Sequence, residues 1–199
     1  MRNDHENRVT RSARLRQGTQ AKAIVDTYHI TDIATGDLLR AEVAAGTPLG
    51  LQAKPLMEAG EFVPDEIVVG MIKEHLAKDD TSNGFLLDGF PRDLPQAEAL
   101  DAMLTKINQP LDVVLYFKVD YGEIMTRLLA RHRMDDTAET IRHRLEIYEA
   151  KTAPLIDRYK SKGLIREVNG IGEITEVTAR IFAILDDIAA NLATSRQSN

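Results

Sequence analysis

The hydrophobic positions of this chain change period from stretch to stretch, and the changes mark out alternating helices and strands. After Gly18-Thr19-Gln20, the residues Ala21, Ile24, Val25 and Tyr28 fall on one face of a helix. A short extended piece is predicted at 30–33, and Thr35-Gly36-Asp37-Leu38-Leu39-Arg40 opens another helix. Gly46-Thr47-Pro48-Leu49-Gly50 breaks it; a helix near 51–58 follows and ends at Ala59-Gly60. Pro64 and Asp65 are starting signals for a helix over 66–78. A strand at 85–87 and a helix over 95–107 come next. The unbroken apolar run Val113-Val114-Leu115-Tyr116-Phe117 reads as a strand covered on both faces. A helix at 121–130 leads to the polar connector Arg131-His132-Arg133-Met134-Asp135. Asp136 and Glu139 have capping-box spacing and begin a long helix to residue 159, which Pro154 bends or interrupts. A last strand at 164–168 turns through Asn169-Gly170-Ile171-Gly172 into a final helix over 174–192. Strands alternating with helices predict an α/β fold, a doubly wound parallel sheet with helices on both faces.

Residues 1–17 break this regularity. They carry Arg2, Arg8, Arg11, Arg14 and Arg16, with almost no apolar side chain beyond Val9 and Leu15. Such a segment cannot be a buried strand. A basic nucleic-acid arm or an organelle presequence is conceivable, though Asp4 and Glu6 weaken the latter, and the composition favours a disordered tail.

Composition narrows the class without adding a site. The 199 residues are 43% hydrophobic, enough for one cored domain. A net charge of -6 argues against a nucleic-acid surface. With no cysteine there is neither a disulfide framework nor a thiolate metal site, which fits a reducing, cytoplasmic setting. No apolar run reaches membrane length, and no secretory signal is visible.

Two stretches carry candidate chemistry. Leu86-Leu87-Asp88-Gly89-Phe90-Pro91-Arg92 reads as a buried strand ending in a loop. Ligands of open α/β sheets sit beyond the carboxyl ends of strands. Asp88 there can hold magnesium through water, and Arg92 can grip a phosphate with its planar fork. The plain alternative is a turn with a solvated Asp and Arg. The second stretch gathers Arg127, Arg131, Arg133, Arg142 and Arg144 around a short connector and the helix after it. Arg127 and Arg131 share a helix face. Such guanidinium density suits two polyphosphates brought close together; the alternative is a charged surface helix.

From Gly18 to the C-terminus the chain resembles adenylate kinase, in the form with a short lid. The matching residues are Gly18-Thr19-Gln20, Thr35-Gly36-Asp37-Leu38-Leu39-Arg40, Val63-Pro64-Asp65, Leu87-Asp88-Gly89-Phe90-Pro91-Arg92 with Gln96, Asp135-Asp136, and Thr152-Ala153-Pro154-Leu155-Ile156. The resemblance implies a core over 18–199, with an AMP-binding insertion at 34–63 and a lid at 131–137 that close over the substrates. It implies an AMP site at Thr35, Arg40, Glu61, Phe62, Val63, Gly89, Phe90, Pro91, Arg92 and Gln96. Arg40 and Arg92 would hold the phosphate, Gln96 would read the adenine edge, and Arg133 and Arg144 would reach in from the lid side. Gly18, Thr19, Arg127, Arg131 and Gly172 would serve ATP. Asp88 would be the outer-shell carboxylate of Mg2+. The implied reaction is ATP + AMP = 2 ADP, catalysed by a monomer through positioning and charge stabilisation, without a covalent intermediate.

One part departs from the family pattern. The family opens with a buried strand and a glycine-rich phosphate loop ending Gly-Lys-Gly-Thr, whose amides and lysine cradle ATP. Here the aligned residues are Arg11-Ser12-Ala13-Arg14-Leu15-Arg16-Gln17, with Gln17 at the lysine position, and 1–17 is an unmatched basic segment. Two consequences are expected: ATP binding and turnover severely reduced, and a sheet without its central first strand, leaving 85–87 and 113–117 without their shared neighbour. The substituted residues also fit a frameshift. Back-translated with permitted codons and read one base on, the segment from His5 to Gln17 spells Met-Lys-Ile-Val-Leu-Leu-Gly-Pro-Pro-Gly-Ser-Gly-Lys, running directly into Gly18-Thr19-Gln20. Loss of a single G at that junction would produce the sequence observed; a lineage that has lost the loop is the rival explanation.

Four functions therefore compete: an adenylate kinase, a non-catalytic AMP-binding module, a kinase for another nucleoside monophosphate, and a basic-armed nucleic-acid binder. Gln96 and the AMP motifs favour adenine. His132 and His143 with nearby Asp are too few for a zinc site.

Overall fold

The computed structural model describes residues 14–77, 81–130 and 137–197. The order of elements is α1 (Arg14–Tyr28), β1 (Thr31–Ala34), α2 (Thr35–Ala45), α3 (Pro48–Ala59), α4 (Asp65–Leu76), β2 (Phe85–Asp88), α5 (Leu94–Ile107), β3 (Val114–Lys118), α6 (Tyr121–Ala130), α7 (Ala138–Ile147), a π-helical turn (Tyr148–Thr152), α8 (Pro154–Ser161), β4 (Ile165–Asn169) and α9 (Ile174–Gln197). Strands and helices alternate as the periodicities require, and all described strand pairings are parallel.

Local chemistry explains most boundaries. Gly46 and Gly60 end α2 and α3 in the left-handed conformation, each donating its N–H back to carbonyls of the last turn. Thr47 caps α3, with Pro48 in the first turn. Asp93 caps α5 by accepting from the Gln96 amide. The long helix predicted through residue 159 is divided: α7 runs into the π turn, and α8 restarts at Pro154, whose ring cannot accommodate a continuing α-helix. The cap of α7 is Thr137, which accepts from the Thr140 amide; Asp136, expected in that role, lies outside the described residues. At the other end, α1 begins at Arg14, so helix extends four residues into the segment read as an unmatched tail.

The sheet is divided where its central strand was expected to be missing. Among the described residues β1 pairs only with β2, from Thr31 with Phe85 to Ala34 with Asp88, and β3 only with β4, from Val114 with Ile165 to Lys118 with Asn169. Every residue of β2 and β3 is only half-buried, although parallel strands covered by helices are normally buried on both faces. The core divides likewise. One cluster joins Ile33, Leu39, Val68, Ile72, Phe90 and Leu100 around β1, α2, α4 and α5. Another joins Ile24, Val168, Val177 and Ile181 between α1, β4 and α9. No described helix is long and apolar enough to cross a membrane.

Candidate functional site

The loop after β2 turns sharply because Gly89 takes φ +81°, a conformation that strongly favours glycine. The turn presents Arg92 to a cavity of about 890 Å³. Arg92 is fixed from several directions. Its Nε donates to the Gly89 carbonyl at 2.8 Å, its backbone N–H donates to Gln96 Oε1 at 2.8 Å, and its carbonyl accepts from Thr152 Oγ1 at 2.6 Å. Its guanidinium lies 5.4 Å from the centroid of Phe62, within cation–π range. Both Nη groups are without a protein acceptor among the described residues, so the fork remains available for a bidentate anion.

Around Arg92 the cavity wall brings together Thr35, Arg40, Glu61, Phe62, Val63, Asp88, Gly89, Phe90, Pro91, Gln96 and Arg144. These come from six separate elements and loops. Buried Thr35 ties the start of α2 to the end of β2 through its hydroxyl, which donates to the Asp88 carbonyl at 3.1 Å. Arg40 pairs with Asp37 one turn earlier. Arg144 reaches across from α7 and donates to the Met57 carbonyl at 2.9 Å. Next to it His143 pairs with Glu61 at 2.6 Å, so α7 is attached twice to the end of α3 and the loop after it. The hydrogen bond to Glu61 holds the His143 imidazolium above its ordinary range, against the smaller opposing effect of desolvation.

Gln96 is 1% exposed and almost fully committed. Its Oε1 accepts from Arg92 N–H, and its Nε2 donates to Asp65 Oδ1 at 2.7 Å. One Nε2 hydrogen remains for a ligand, so the amide positions Arg92 as much as it can read a base. Asp65 and Thr152, which hold Gln96 and Arg92 from behind, carried no role in the reading of the sequence beyond motif positions. Lys151, with Nζ 5.5 Å from the Phe62 centroid, carried none at all. Proximity between helices distant in sequence is what reveals them.

Of the residues expected to serve ATP, the described ones, Gly18, Thr19 and Gly172, do not line this cavity. Gly18 and Thr19 are exposed within α1 rather than at the end of a phosphate loop. Gly172, at φ +116°, lies in the turn after β4, away from the cavity lining. The backbone of Arg127 is in α6; its side chain, together with Arg131, Arg133, Asp135 and most of the predicted lid, falls outside what is described.

For a metal, the oxygen donor at a strand end on the cavity wall is Asp88; Asp32, two residues before the end of β1, is exposed and does not line the cavity. Desolvation pushes the Asp32 carboxyl up, and the charges of Asp88 and Asp37 push it further, an arrangement that a nearby cation would relieve. The described residues contain no group of three or more His, Cys, Asp or Glu poised to hold an ion. Oxygen donors few in number suit magnesium held through water and substrate phosphate.

The comparisons with known proteins point the same way. A family model described as adenylate kinase matches residues 15–164. An adenylate kinase of Thermodesulfovibrio yellowstonii is 47% identical over 85% of this chain and 94% of its own length. Those of a Nocardioides species and of Stenotrophomonas maltophilia are 49% and 45% identical, covering 86% and 85% of this chain and 92% of each relative.

Proposed function

This chain belongs to the adenylate kinase family, whose reaction is ATP + AMP = 2 ADP, and on that premise we propose that its cavity is the AMP half of the site. The observation that carries the reading is the positioned, unoccupied fork of Arg92 beside Phe62, with Arg40 and Arg144 on the same wall. The phosphate of AMP would take the Arg92 fork, and the adenine would lie toward Phe62, Val63 and the remaining Gln96 N–H. Arg133 would join Arg144 on arrival from the lid, completing a cationic enclosure for the phosphates. The 34–63 insertion and the 131–137 lid would close over the nucleotides and exclude water. Thr35 and Gln96 contribute by fixing positions and not by exchanging protons.

Magnesium fits the strand-end carboxylate of Asp88, which would hold it through water. When bound, it would neutralise charge on the polyphosphate. Arg127, Arg131 and Gly172 are the residues that would serve ATP. Residues 11–17 contain neither glycine nor lysine, so this segment lacks the residues with which the family's loop cradles the transferred phosphoryl group. AMP binding should therefore persist where turnover does not. A cysteine-free composition fits a reducing cytoplasm, and we read the protein as a monomer acting on free nucleotides.

Calorimetric titration tests the AMP site. AMP should bind the native chain, and Arg92→Ala should weaken it about 10- to 100-fold, the worth of a charge-assisted bidentate contact. Equal affinity in the two proteins would refute the assignment.

A further inference from the structure

The end of α3 and the loop after it are joined to α7 by close packing and by polar contacts. Gly60 lets the two approach: a Cβ there would lie 2.9 Å from Thr140 Cγ2 and 3.2 Å from Arg144 Cγ. Arg144 Nη2 donates to the Met57 carbonyl at 2.9 Å, and His143 Nε2 pairs with Glu61 Oε1 at 2.6 Å. Arg144 lines the cavity and His143 does not. Neighbours on a helix point about 100° apart, so His143 can hold the joint from the rim while Arg144 faces the pocket. The joint carries a charge that pH can remove. Among the described residues, the ionisable groups facing the His143 ring are Glu61, from the loop after α3, and Glu146, on α7 itself, 3.8 Å from Nδ1. The protonated ring donates from both nitrogens; the neutral ring keeps one N–H and leaves two carboxylates facing an uncharged group.

We propose that His143 is a positioning residue for AMP: its ion pair with Glu61 locks the 34–63 insertion to α7 and so sets Arg144 on the wall of the pocket. This role rests on the reading of the cavity as the AMP site. His143 touches no nucleotide and acts through Arg144 alone. Its hydrogen bond with Glu61 favours the protonated ring, so the lock is complete below pH 6.5 and is lost as pH rises through the ring's raised value. The two side chains are 41% and 47% exposed, which keeps the effect small. AMP affinity should differ about 2- to 5-fold between the locked and unlocked states.

The test is calorimetric titration of the intact chain with AMP from about pH 6 to about pH 9, across the range in which His titrates. Each affinity is divided by that of His143→Gln at the same pH, which cancels the titration of the AMP phosphate itself. The native chain should bind about 2- to 5-fold tighter than His143→Gln at the acid end, with the ratio closing to about 1 at the alkaline end. His143→Lys, charged throughout, should keep the advantage at every pH. Glu61→Gln should show no advantage and a flat ratio. A flat native ratio, a Lys variant no better than Gln, or a pH dependence that survives in Glu61→Gln would each overturn the proposal. Arg92→Ala separates this role from the reading beneath it. If AMP binds none of these proteins, or binds Arg92→Ala as tightly as the native chain, the AMP assignment falls and the role of His143 with it. If binding needs Arg92 and the native ratio is flat, only the role of His143 falls.

Discussion

Replacing Gln96 by Ala tests how Arg92, the arginine proposed to hold the AMP phosphate, is held. The Gln96 side chain is 1% exposed and makes two hydrogen bonds, to the Asp65 carboxylate at 2.7 Å and from the Arg92 N–H at 2.8 Å. Truncation leaves both partners unsatisfied. The carboxylate bond is worth about 1.5–3 kcal/mol and the backbone bond about 0.5–1.5. The expected loss is therefore about 2–4 kcal/mol, before any cavity cost. The Asp93 cap of α5 uses the backbone N–H of residue 96 and survives the change, so helix uncapping does not confound the result. The assay is urea unfolding, where the midpoint should fall by about 1 M or more with the slope unchanged. AMP affinity should fall in the same variant, because Arg92 loses its support. Gln96→Glu should be at least as harmful at neutral pH, setting one carboxylate against another, with the deficit shrinking as pH falls through the carboxylate range. A Gln96→Ala loss below about 1 kcal/mol would refute the reasoning.

Other expectations follow from particular contacts. Tyr159 is buried with a hydroxyl that has no partner among the described residues, and burial pushes that hydroxyl up to about 12; Tyr159→Phe should leave stability unchanged or raise it by about 1 kcal/mol in thermal unfolding, and a clear loss would mean the hydroxyl is bonded. A Cβ on Gly50 would land on the Glu42 carbonyl of the neighbouring helix, so Gly50→Ala should separate α2 from α3 and lower the melting temperature by about 4 °C or more; an unchanged value would contradict that packing. His143 is held above its ordinary value of 6.5 by Glu61, so its contribution is complete below pH 6.5 and is lost as pH rises through the raised folded value; an NMR titration of the ring at or below 6.5 would contradict the pair. Burial alone would raise Asp101, but hydrogen bonds from Lys162 and Arg158 outweigh it and hold the carboxyl below its ordinary range. Its stabilisation is thus present at neutral pH and lost as pH falls through the depressed value, and Asp101→Asn should cost about 1 kcal/mol for this partly exposed group.

Much of the fold was legible because period and punctuation agree locally. The apolar run at 113–117 read as a strand, and β3 takes up 114–117 of it, half-buried and not covered on both faces as expected; the Gly46 and Gly60 helix ends announced themselves by residue type. The division of the sheet among the described residues was legible too, because residues 1–17 hold no run of apolar side chains suited to a central buried strand. What escaped was non-local. Asp65 read as a helix-start signal, yet its carboxylate holds the Gln96 amide 31 residues away. Met57 gave no sign that its carbonyl would receive Arg144 from 87 residues on. Spacing places residues on a face of their own element, and only packing says which element faces it.

The most direct measurement compares two proteins in a coupled assay for ADP formation from ATP and AMP, with AMP binding measured alongside. One is the chain as written; the other carries Met-Lys-Ile-Val-Leu-Leu-Gly-Pro-Pro-Gly-Ser-Gly-Lys in place of residues 5–17. Both should bind AMP, and the restored protein should turn over at least about 1,000-fold faster, since phosphoryl transfer depends on the cradle that positions and neutralises the transferred group. Comparable turnover by the two proteins would contradict the proposal that the chain keeps its AMP half and lacks the glycines and lysine of the ATP phosphate loop.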